Sequence, residues 1–228
     1  MSQQHCVEAS SQLRVLIACE ESGRVRRAFR GFGHDAWSCD LLPADEGSPH
    51  HLQCDVREVL GNGWDLMIAH PPCTHLSGSG ARWRVDHWVT KKSHPDGRYW
   101  HDGSVKRRQQ AEAVEFVKTL WAAPIARIAI ENPVGCLPEL WIKWTQMIHP
   151  YQFSHGEQKK TCLWLKNLPP LVPTDEVPGR WQRCWEMAPS DNREKLRSRT
   201  YLGIAEAMAA QWGGMVRQAE LPVLRAVA

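Results

Sequence analysis

The sequence predicts an α/β fold: a mostly parallel sheet with helices on both faces. Three observations carry this. Short apolar, β-branched runs recur along the first two thirds of the chain. Segments with apolar residues at helical spacing stand between them. Almost every apolar run stops at an acid, a glycine or a proline, as strands do when they enter a loop.

In order, "LRVLIAC" (13–19) reads as a buried strand and "EESGRVRRAFRGFG" as a turn and a helix ending at Gly31 or Gly33. "HDAWSCDLLP" is a second strand closing at Asp40. "HLQCDVREVL" is a short strand or turn with Asp55 at its end, and "GWDLMIAHPPC" is a strand entered by a turn at 61–63. "SVKRRQQAEAVEFVKTLWAA" is a helix, and "ARIAIENP" is a strand ended by proline. "IHPYQFSHGEQKKTCLWLKNLPPLVPT" reads as extended segments that prolong the sheet. "VPGRWQRCWEMAPSDNREKLRSRT" lacks periodicity and reads as a loop or small subdomain. "YLGIAEAMAAQWGG" is a helix with a Gly-Gly stop.

The length of 228 residues suits one domain, expected at 13–212, with tails at 1–12 and 213–228. The apolar runs fall far short of the ~20 residues that span a bilayer, and no secretory signal is evident, so no membrane contact and a cytoplasmic location are expected. The eight cysteines form no CxxC pair and read as reduced thiols. His70, Cys73 and His75 lie close in a proline-rich turn, but no usual ligand spacing appears and no metal is expected.

A net charge of +3 says little as a total, but residues 82–108 are rich in Lys, Arg, His and Trp and poor in acids. Such a stretch is either a solvated loop with locally packed tryptophans or a nucleic-acid contact, with cations for phosphates and aromatics for bases.

Ligands of an open parallel sheet gather at the carboxyl ends of its strands. Here those ends are residues 19–23, Asp40, Asp55, residues 70–73 and residues 131–133. Singly, an aspartate after a strand is often only a helix cap. Together, Cys73 and Glu131 at neighbouring sheet edges suit nucleophilic addition to an electron-poor ring, with the acid serving the ring nitrogen.

Pro72–Cys73 followed by Glu131–Asn132 resembles the DNA cytosine carbon-5 methyltransferases, whose fingerprint is a Pro-Cys and then a Glu-Asn motif. The resemblance spans roughly residues 13–212 and rests on the order and spacing of short motifs. It implies a Rossmann-like, S-adenosylmethionine-dependent methyltransferase fold and a DNA substrate whose target cytosine is flipped out, in a compact, phage-like monomer within a bacterial host cell. By resemblance, Cys73 is the nucleophile, Glu131 contacts ring nitrogen 3 and the exocyclic amine, Asn132 orders the Cys loop, and Lys160 joins the catalytic group. S-adenosylmethionine is expected against Cys19, Glu20, Ser22 and Gly23, with Asp40 and Leu41 at the ribose, Asp55 and Val56 at the adenine, and His70, Pro71 and Tyr201 completing the pocket with Gly203. DNA contacts are expected from Ser77 and Ser79 in the Gly/Ser loop, from Arg82, Trp83, Arg84, Lys91, Lys92 and Arg107, from Gln158, which lies in a strand resembling the family's base-supporting one, and from Arg180.

The resemblance departs at "ACEESGR", where Glu20 and Glu21 stand in place of the usual glycine; at Thr74, where Gln is usual after Pro-Cys; and at Lys160 and Cys162, where arginines are usual. About forty residues, 163–200, replace the large recognition domain. "HPPC" also resembles the amino-methyltransferase motif, with His70 first and Cys73 in the aromatic's place. That alternative, an exocyclic-amine methyltransferase, leaves Glu131 without a role. A catalytically inactive DNA-binding protein on the same fold is the other alternative, and a free-nucleotide substrate or a related methyl donor the third.

Overall fold

The structure is a computed structural model and describes residues 12–188, 190 and 193–214. The expected tails lie outside the described residues, save positions 12, 213 and 214. The strands are β1 (Arg14–Ala18), β2 (Asp35–Asp40), β3 (His51–Gln53), β4 (Leu66–Ala69), β5 (His87–Thr90), β6 (Arg98–His101), β7 (Arg127–Pro133), β8 (Gln146–Ile148) and β9 (Thr161–Lys166). The helices are α1 (Arg24–Gly31), α2 (Ser104–Trp121), α3 (Leu137–Leu140), α4 (Arg183–Glu186), α5 (Arg193–Ser198) and α6 (Leu202–Gly213).

Seven strands form one sheet in the order β3-β2-β1-β4-β7-β9-β8. β1, β2, β3, β4 and β7 pair in parallel, and β9 runs against both its neighbours. This is the mostly parallel α/β architecture that the sequence predicts. The central strands read as near-continuous apolar runs because both their faces are covered. On one face Val15, Ile17, Leu66, Ile68 and Ala129 meet Val25 and Phe29 of α1 and Met208 and Trp212 of α6. On the other, Leu16, Met67, Ile128 and Ile130 meet Val114, Val117 and Leu120 of α2. The parallel register Leu16↔Met67↔Ile128 keeps each set on its own side. No helix among the described residues is long and apolar enough to cross a membrane.

The chain runs outward from β1 to β3, then returns to β4 on the other side of β1. That reversal opens a crevice at the carboxyl ends of β1 and β4. α6 closes against the segment before β9: a Cβ on Gly203 would sit 2.1 Å from the Phe153 carbonyl oxygen. Gly203→Ala therefore forces helix and loop apart. It is expected to lower unfolding stability by about 1–3 kcal/mol. Urea unfolding measures this, and an unchanged midpoint would mean the contact gives way freely.

Two sequence expectations are corrected. Within residues 82–101, where no strand was expected, the chain forms an antiparallel hairpin, β5–β6, with Trp88 opposite Trp100, while α2 begins at Ser104 as expected. Its turn is set by Gly97 at φ 66°, with the Lys91 amide donating to the Gly97 carbonyl. The segment outside the sheet begins at Asn167 rather than Leu163, because Leu163–Lys166 belong to β9. Beyond it, among the described residues, lie the short helices α4 and α5 before α6.

Candidate active site

Parallel pairing brings the carboxyl ends of β1, β2, β4 and β7 to one edge of the sheet. At the end of β1 the chain turns sharply, with Cys19 at φ 59° and Gly23 at φ 65°. At that φ a side chain on residue 23 would be strained, so glycine suits the turn. Glu20 is buried and turned inward. Its carboxylate accepts from the Val25 amide at 2.8 Å and the Arg26 amide at 3.2 Å, and Ser22 Oγ donates to it at 3.3 Å. It thus satisfies the first turn of α1. Burial raises its pKa, against the opposing pull of His70 and the helix amides. Glu20 and Ser22, expected at the cofactor, bond each other, and Glu20 holds the first turn of α1. Glu21 lies near Lys195 of α5 at 3.5 Å.

At the end of β2, Asp40 accepts from the Leu42 amide at 2.9 Å, and Leu41 is 70% exposed beside it. Gln53 holds the loop by donating to the Leu41 carbonyl at 3.3 Å. Asp55 caps the short turn that begins at the buried Val56: it accepts from the Arg57 amide at 3.0 Å and pairs with the Arg57 guanidinium. That partner holds its carboxyl down to about 2. The Cys19 thiol is pushed up to about 12, first by burial and then by the charges of Asp40 and Asp55. Those charges bear on one thiol only because the ends of three strands converge there.

At the next pair of strand ends, His70 Nδ1 lies 2.9 Å from Glu131 Oε2, with side chains only 10% and 13% exposed. Burial works to lower the pKa of His70, yet the Glu131 bond and charge raise it above its ordinary value. Burial likewise works to raise Glu131, and the His70 bond holds it below its ordinary value. The two form a buried ion pair. His70 Nε2 and Asn132 Oδ1 are each buried without a hydrogen-bond partner among the described residues. Sequence reasoning assigned His70 and Glu131 to different ligands and missed their contact. Lys160, expected in the catalytic group, is exposed and its charge falls on His149 and Cys162. Lys159 is the neighbour whose charge reaches both His70 and Glu131.

Cys73 is exposed on the loop after β4, and its carbonyl closes a tight turn with the Leu76 and Ser77 amides at 3.0 and 2.9 Å. The loop is laced to the chain after β7. Asn132 Nδ2 donates to the Pro71 carbonyl at 2.8 Å, Ser77 bridges Gly135, and the Cys136 amide donates to the Leu76 carbonyl at 2.9 Å. A Cβ on Gly135 would come within 1.9 Å of Leu76 O, so glycine permits this approach. A cavity of about 90 Å³ lies between this loop and the hairpin root, lined by Thr74, His75, Gly80, Trp83, Arg84 and Lys106. A larger groove, about 420 Å³, sits between α1 and α6 and involves none of the strand-end residues.

No protein-family model matches the chain, and no curated protein matches it. Two of the solved structures similar to it illustrate the likeness. One is described as a DNA modification methyltransferase encoded within a prophage of E. coli, at 13% identity and a TM-score of 0.44, covering 78% of this chain and 56% of that one. The other is the S. pombe Dnmt2 methyltransferase, at 15% identity and a TM-score of 0.42, covering 77% and 54%. The chain spans little more than half the length of either.

The remaining candidates sort by what holds them. Tyr201 Oη donates to the buried Glu157 carboxylate at 2.6 Å and braces the start of α6. Ser77 Oγ and Ser79 Oγ bond each other at 2.9 Å. Arg84 reaches the Ser77 carbonyl at 3.5 Å, and Arg82 lies over the Trp83 ring at 4.5 Å. Arg107 is pinned to Asp86 at 2.8 Å and the Arg84 carbonyl at 2.9 Å. Arg180 stacks on Tyr151 at 3.6 Å and bonds the Val177 and Gly179 carbonyls. Arg107 and Arg180, expected at DNA, thus have internal partners. Lys91 and Lys92 are exposed at the hairpin turn, and Gln158 is half-buried with its main-chain N–H donating to the Trp181 carbonyl.

Proposed function

We propose that this protein is a DNA cytosine carbon-5 methyltransferase that takes its methyl group from S-adenosylmethionine. The observation that carries the reading is the strand-end set: Cys73 on a loop whose Pro71 carbonyl is held by Asn132, next to a Glu131 charged by its contact with His70. The β1–β2 edge fits the methyl donor. Asp40 spends one bond on its own loop and keeps lone pairs for ribose hydroxyls, Leu41 offers apolar surface beside it, and His70 Nε2 is a buried atom still to be paired. Glu20 and Asp55 contribute by shaping the edge. When bound there, S-adenosylmethionine supplies an electrophilic methyl group.

The chain's own residues do the rest. Carbon 5 of cytosine is not nucleophilic. The Cys73 sulfur adds to carbon 6, and the displaced electron pair moves toward ring nitrogen 3. The Glu131–His70 pair, which shares one dissociable proton, serves that nitrogen and the exocyclic amine. Carbon 5 becomes enamine-like. After transfer a base takes the carbon-5 proton, Cys73 leaves as thiolate, and ring nitrogen 3 returns its proton to the pair, which restores the ring. A cytosine inside a duplex hides carbon 6, so the base must leave the stack.

Trapping tests this. 5-Fluorocytosine carries fluorine where the carbon-5 proton would be and so blocks elimination, and wild type with the methyl donor is expected to accumulate a covalent complex on DNA that contains it, and Cys73→Ser none. A Cys73→Ser protein that methylates DNA at the wild-type rate would end the reading.

A further inference from the structure

We infer that the outward face of the β5–β6 hairpin is a stacking platform for an unpaired DNA base, presented beside the loop that carries Cys73. Trp88 and Trp100 stand opposite each other across the strands, 57% and 52% exposed, with rings 5.5 Å apart and near-perpendicular. The Arg98 guanidinium lies 4.7 Å over the Trp88 ring. Two large aromatics left in water on one small sheet contribute nothing to a core. The hairpin's other face is the packed one, where His87 and His101 lie on Trp83 at 5.7 and 5.0 Å.

Charge chooses the occupant. Residues 82–108 hold eight Lys and Arg against three Asp. Two of those acids are spent internally, Asp86 on Arg107 and the Gly103 amide, and Asp102 on Ser104. The surplus is complementary to a polyanion, and aromatic faces among cations are how strands are held without base-specific readout. An unpaired base fits where a paired one does not, because only a base out of its stack offers a ring face.

Position ties the platform to the chemistry. His101 Nε2 bonds the Trp83 carbonyl at 2.9 Å, and Arg84 reaches the Ser77 carbonyl, whose amide in turn closes on Cys73. The hairpin therefore rides on the same run of chain as the nucleophile. The inference rests on the DNA methyltransferase reading and adds a residue set that a Cys-loop alone does not supply.

The test compares fluorescein-labelled duplexes, fully paired or with one bulged cytosine, by anisotropy. Wild type is expected to prefer the bulged duplex by about ten-fold, and Trp88→Ala/Trp100→Ala to lose that preference while binding the paired duplex within about two-fold of wild type. Trp88→Phe/Trp100→Phe, which keeps aromatic faces, should retain most of it. The alanine variant should keep the wild-type melting temperature, which shows that it folds. An alanine variant that keeps the preference, or a wild type that traps DNA without showing one, overturns the platform and leaves the methyltransferase reading standing. A wild type that neither traps nor binds DNA overturns both.

Discussion

Glu131→Gln is expected to slow methyl transfer by about 10²- to 10⁴-fold, the range for losing a positioned proton donor or acceptor. Glutamine is isosteric and still offers an oxygen to His70 across the 2.9 Å contact, so the fold survives. What disappears is the charge that His70 maintains on a carboxyl otherwise pushed toward neutrality by burial. On the proposed mechanism, the pair then has no proton to share with the ring nitrogen as Cys73 adds. Single-turnover transfer of labelled methyl groups measures the rate, with thermal unfolding as the control. A rate within about three-fold of wild type, at unchanged melting temperature, would remove Glu131 from the chemistry.

His70→Leu is expected to cost about 3–5 kcal/mol, because it strands a buried carboxylate without its partner. The double variant His70→Leu/Glu131→Leu should recover part of that loss, since two apolar groups replace the pair. The pH dependence gives the sign. His70 is raised above its ordinary value of 6.5, so its contribution is complete below 6.5 and fades as pH rises through the raised value. Glu131 is held below its ordinary value of 4.5, so its contribution is complete above 4.5 and fades as pH falls through the lowered value. The gap between wild type and His70→Leu should therefore be widest from pH 4.5 to 6.5 and narrow on either side. Urea unfolding across pH measures it, and a gap independent of pH would mean that the pair is not ionised.

Much of the architecture was readable because a parallel sheet covered on both faces imposes uninterrupted apolar runs. "RVLIA" and "LMIA" could hardly be anything else. The antiparallel strand beside β7 was readable only as extended chain, since its direction is decided by pairing and not by composition. The hairpin was overlooked for a different reason. Its charge hid its pattern: His87 and Val89 alternate with Trp88 and Thr90, Tyr99 and His101 with Arg98 and Trp100, and "DG" marks the turn. Alternation between half-buried and exposed positions is a strand signal even where hardly any residue is aliphatic.

The site was divided in the same way. By itself the sequence determined which residue types stand at each strand end, and in what order: a cysteine after Pro-Pro, a Glu-Asn pair, aspartates after the second and third strands. Local backbone preference ends strands at such residues, so their placement needed no tertiary information. Only the tertiary structure decided which of them touch. It turned Glu20 inward onto the first turn of α1, gave Asp55 to Arg57, exchanged Lys160 for Lys159 beside the buried pair, and set His70 against Glu131, sixty-one positions away in sequence. The physical reason is that a carboxylate's role depends on which cation and which amides lie within about 3 Å, a distance set by strand register and loop closure and not by chain order.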